Sequence, residues 1–68
     1  MKRKTMTQVL TEYRERGNKA YYKAMVAVRD EAEAELVHNS KTIIDNKKAT
    51  LKDLRYAVDI LECMAERG

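Results

Sequence analysis

The sequence predicts an all-α protein, a helical hairpin in which one long N-terminal helix packs against a shorter C-terminal one, and three observations carry that prediction. Proline is absent and glycine occurs only at Gly17 and Gly68, so little in the chain interrupts a helix. The strong helix formers Ala, Glu, Lys, Arg, Leu and Met dominate the composition. Apolar residues recur in steps of three and four along both halves, the spacing that puts side chains on one helix face.

In the first half that stripe runs through Leu10, Tyr13, Gly17, Tyr21, Ala24, Val28, Ala32 and Leu36. Thr5 or Thr7 can cap its start. The stripe keeps phase across Gly17, so a continuous helix is favoured there over a break. On the apolar face a glycine costs the helix about 1 kcal/mol relative to alanine, but lets another helix approach closely. The first helix is expected over about 7–38, or to 46 if Ile43, seven residues after Leu36, extends it. Asn46-Lys47-Lys48-Ala49 is the best loop, over about 46–50, because Thr50 with Asp53 three residues on forms a capping box. In the last helix, 51–66, Leu51, Leu54, Val58, Leu61 and Ala65 make a stripe that Ala57, Ile60 and Met64 widen, and so wide an apolar arc touches more than one neighbour.

Sixty-eight residues make one small domain, a size at which a single core seldom supplies more than about 3–5 kcal/mol unaided. The chain has a modest core inventory of five Val, five Leu, three Ile and four Met, with no Phe or Trp. Its one cysteine, Cys63, cannot close an internal disulfide, and its one histidine, His38, leaves too few soft ligands for a zinc site. Association is the remaining source of stability, so a homo-oligomeric bundle with a possible protein partner is expected. The candidate protein interface is Tyr21, Val28, Val58, Ile60, Leu61 and Met64. Within it, Val58 and Leu61, with Leu54, are expected to face the first helix of the same chain, leaving Ile60 and Met64 to meet a second copy.

Charge is unevenly distributed. Residues 1–29 carry eight basic and two acidic side chains (+6), 30–46 one and five (−4), and 47–68 five and four (+1). The basic segment supports an alternative reading as a small nucleic-acid binder through Lys2, Arg3, Lys4, Arg16, Lys19 and Lys23, the last three spaced to share a helix face. Glu12 and Glu15 neutralise part of that face, and no helix-turn-helix spacing accompanies it, so base-specific reading is not expected.

Catalytic signals are thin. Glu31, Glu35 and His38 share a helix face, and Glu35-Leu36-Val37-His38 has the Glu-x-x-His spacing of di-iron bundles, but such a site needs two copies of the motif. An acidic, solvated face is the plainer account. Cys63 has no base beside it in sequence and is expected as a small buried hydrophobe. Serine appears once, at Ser40, and no phosphate loop or ligand cluster is present, so neither an enzyme nor a cofactor is expected. No apolar run approaches the ~20 residues of a membrane span, and no signal-peptide core follows the basic start. A cytoplasmic chain with a free thiol is the corresponding expectation.

The run Lys47-Lys48-Ala49-Thr50-Leu51-Lys52-Asp53-Leu54-Arg55-Tyr56-Ala57-Val58-Asp59-Ile60-Leu61 resembles the segment that begins the last helix in some phage small terminase subunits. Those proteins carry an N-terminal helix-turn-helix that reads packaging DNA, followed by a helical hairpin that assembles into rings. The resemblance implies that residues 7–66 correspond to the hairpin part alone, in a small phage or prophage protein.

Overall fold

Among the described residues there are three helices, not two. The computed structural model describes residues 3–67, with α1 at Met6–Ala27, α2 at Glu31–Asp45 and α3 at Leu51–Arg67. The all-helical class stands as expected, but the single long helix over 7–38 or 7–46 does not. It is divided at Val28-Arg29-Asp30, where Val28 (φ −62°, ψ 132°) turns extended. Asp30 (φ −146°, ψ 176°) caps α2, its Oδ1 accepting from Glu33 N at 2.9 Å. Glu33 Oε2 accepts in turn from Arg29 N at 2.8 Å, so the two carboxylates satisfy the backbone donors that a break exposes. Replacing Asp30 by alanine is expected to cost about 1 kcal/mol and to lower Tm by roughly 4–8 °C. An unchanged melting midpoint would show that the cap does not hold the break.

Neither Gly17 nor Ser40 interrupts a helix. Ser40 is 1% exposed inside α2, and its hydroxyl donates to Leu36 O at 2.9 Å, which lets a polar residue sit in an apolar face. Two capping boxes define the other starts. Thr5 Oγ1 accepts from Gln8 N (3.1 Å) and Gln8 Oε1 from Thr5 N (3.0 Å) ahead of α1. Thr50 and Asp53 exchange the equivalent bonds at 3.2 Å ahead of α3. At the C-terminus of α2, Arg14 of α1 reaches across to donate to Ile44 O and Asn46 O, both at 3.3 Å, bringing a cation to carbonyls that lack helical partners.

Cross-helix bonds set the directions. Asn18 Oδ1 accepts from Lys41 Nζ at 2.6 Å while Arg14 meets Ile44, so α1 and α2 are antiparallel. An ion pair between Arg67 and Glu33 (3.1 Å) ties the end of α3 to the start of α2. The third helix therefore runs parallel to the first, with Arg16 and Glu62 paired at 2.8 Å, and α1 packs chiefly on α3.

The core gathers Ala20 and Ala24 of α1, Val37 and Ile44 of α2, Ala49, and Leu54, Ala57, Val58, Leu61 and Met64 of α3. Small residues on α1 set the helix separations, and Gly17 is the extreme case. A Cβ there would run into Ile44 Cδ1 and stand 3.1 Å from Ile44 Cγ1 and 3.2 Å from Val58 Cγ2, so one missing methyl admits side chains from both other helices.

The wide arc of α3 does touch two neighbours, but both belong to the same chain. Leu54, Val58 and Leu61 are fully buried, and Met64, expected to face a second copy, is 5% exposed in the core. The extra helix created by the break at Val28 supplies the second partner. It also lays the −4 segment antiparallel beside the +6 segment, so much of the charge asymmetry is opposed within one molecule.

Candidate interaction surfaces

With Val58, Leu61 and Met64 consumed by the core, the expected interface reduces to Tyr21, Val28 and Ile60, all half-buried and packed against the cluster's edge. Ile60 belongs to a longer seam. Tyr56, Ile60 and Cys63, spaced i, i+4, i+7, share one side of α3, with Tyr56 62% exposed and Cys63 exposed. On α2, Leu36 (41% exposed) and Ile43 (half-buried) are seven residues apart and share a side likewise. The antiparallel register fixed by Glu33 and Arg67 brings Leu36 to the level of Cys63 and Ile43 to that of Tyr56. The expectation of a buried Cys63 is thus corrected: it lies outside the wide arc that the core occupies.

A second apolar group lies on the outer side of α1, where Tyr22, Met25 and Val26 are 71%, 42% and 86% exposed. Tyr22 is partly held by an edge contact to Tyr21, ring centroids 5.6 Å apart. The apolar stripe read from sequence did not mark these residues, because they fall off its phase.

Two of the candidate cations of the first segment, Lys4 and Arg16, are engaged in ion pairs. Lys2 lies outside the described residues. Arg3 is exposed. Lys4 pairs with Glu12 at 2.8 Å, and Arg16 pairs with Glu62 while lying 5.4 Å from the Tyr13 ring centroid. Arg16, Lys19 and Lys23 do share a face, but α3 brings Glu62 and Glu66 to the other wall of the same groove, floored by Ala20 and Ala65. A phosphate backbone entering there would meet carboxylates as well as cations. Around the turn from α2 to α3 the balance differs, with Lys47, Lys48, Lys52 and Arg55 all exposed.

Glu31, Glu35 and His38 are exposed on α2, and the His38 ring sits tilted 6.4 Å from that of Tyr21. Among the described residues no three His, Cys, Asp or Glu side chains gather as a metal-binding group. No helix among them is long and apolar enough to cross a membrane. No protein-family model, curated protein or solved structure matches the chain.

Proposed function

We propose that this chain is a small non-enzymatic interaction protein that works by self-association and by binding a protein partner in a larger assembly. The observation that supports this most is the α2–α3 seam. A three-helix core that already closes on itself still leaves Leu36, Tyr56 and Cys63 exposed, on the same sides of α2 and α3 as the half-buried Ile43 and Ile60. Apolar side chains scattered singly need no partner, whereas a run along two adjacent helices is the pattern that interfaces bury. The likeness of residues 47–61 to a helix from ring-forming phage proteins is consistent with an assembly role.

Sedimentation equilibrium at micromolar concentration tests the proposal. The wild type is expected to sediment above its 7.9 kDa chain mass. Replacing Ile60 by aspartate puts an unpaired charge into the desolvated seam, a cost of about 3–5 kcal/mol, so association should weaken at least ~100-fold. A well-folded wild-type monomer throughout would end the self-association reading. Circular dichroism of the Ile60→Asp chain separates loss of association from loss of fold.

A further inference from the structure

We infer that the turn joining α2 to α3, together with the start of α3, is a docking surface for the phosphate backbone of duplex DNA, with Lys47, Lys48, Lys52 and Arg55 as its contacts. This places the binding elsewhere than in the basic N-terminal segment, and it does not depend on self-association. The charge arrangement around the turn carries it. Four exposed cations fall within nine residues, two in the turn and two along α3. Two of the carboxylates nearest the turn are engaged elsewhere. Asp45 accepts from Lys41 at 2.8 Å, and Asp53 accepts from the backbone N of Thr50 at 3.2 Å as half of a capping box. Arg14 adds a fifth cation beneath the turn, held against the carbonyls of Ile44 and Asn46. Asp59, one turn beyond Arg55, is exposed, and no ion pair within 4.0 Å joins the two.

The groove at Arg16, Lys19 and Lys23 shows the contrast, since Glu62 and Glu66 line it from the opposite side. One carboxylate ligand would satisfy one or two of the turn's cations and leave the others unmatched. Each strand of a duplex presents about one charge per 3.4 Å of its axis, so a docked backbone supplies successive phosphates as partners for all four. Three of the four are lysines, whose point charges carry no bidentate base code. Binding is therefore indifferent to sequence and sensitive to salt.

Fluorescence anisotropy of a labelled duplex of arbitrary sequence, titrated with the full chain across a salt series, tests this. Four neutralised phosphates give a slope of log K on log salt of about −3.6, at about 0.9 per contact. The Lys47→Gln/Lys48→Gln chain is expected to flatten that slope by about 2, while Lys19→Gln/Lys23→Gln leaves it unchanged. All four substituted lysines are exposed, and matching melting temperatures confirm intact folds. The inference is overturned if the Lys19/Lys23 chain loses as much slope as the Lys47/Lys48 chain, since the attraction then follows overall charge. Absence of binding at about 50 mM salt overturns it too. So does binding to phosphatidylserine vesicles without binding to the duplex, which would make the surface a membrane contact.

Discussion

Truncation of Leu61 to alanine should leave the chain largely unfolded at room temperature. Leu61 is fully buried on the helix that packs against both others, so its truncation leaves a cavity within the core. Large-to-small changes at such positions cost about 2–5 kcal/mol. A single-core domain of this size has only about 3–5 kcal/mol to lose. Far-UV circular dichroism with a urea titration reads the result directly. A cooperative transition displaced by less than ~1 kcal/mol would mean that the core does not close around Leu61.

The second large effect concerns Gly17. Its replacement by alanine gains about 1 kcal/mol of helix propensity, and in an open position that gain would win. Here the new methyl overlaps Ile44 Cδ1 and crowds Val58 Cγ2, and overpacking a closed core costs about 1–3 kcal/mol. The expected net effect is destabilisation. Because the obstruction is chiefly one terminal methyl, Ile44→Val should relieve it. Alone, Ile44→Val should cost about 0.5–1.5 kcal/mol. In the Gly17→Ala chain it should cost less than that, or even restore stability, a coupling that a double-mutant cycle measures. Strict additivity would show that Ile44 swings aside freely and that the glycine is not needed for close approach.

How far the sequence reveals this fold differs from one helix to the next. The third helix was fully legible, because Thr50 and Asp53 announce its start and leucines mark its buried face. The start of the first is legible too, as is its passage through Gly17, but its end at Ala27 is not. What failed was the junction at Val28-Arg29-Asp30. The stripe of Ala24, Val28, Ala32 and Leu36 keeps a helical rhythm across a real break, yet Ala32 and Leu36 are exposed. The true inner face of α2 is Val37, Ser40 and Ile44, and its centre is disguised by a serine that satisfies its own hydroxyl within the helix. Asp30 with Glu33 three residues later carried the signal of a new start, in the same form that identified α3.

That error propagated to function. A hairpin leaves the second side of α3 unmatched, so Met64 was assigned to a partner that the extra helix makes unnecessary. In the sequence, Lys47 and Lys48 mark only a loop. What distinguishes them is that nearby carboxylates are engaged elsewhere, which depends on Lys41 and the Thr50 cap and cannot be seen from charge counts.

The pairing of α1 with α3 also governs when the molecule can assemble as it is made. The helix that covers Gly17, Ala20 and Ala24 follows the other two in the chain. Until Leu54, Val58 and Leu61 have left the ribosome, α1 and α2 have only each other, through a contact far poorer in large apolar side chains. Closure of the core therefore waits for α3 rather than growing stepwise from α1.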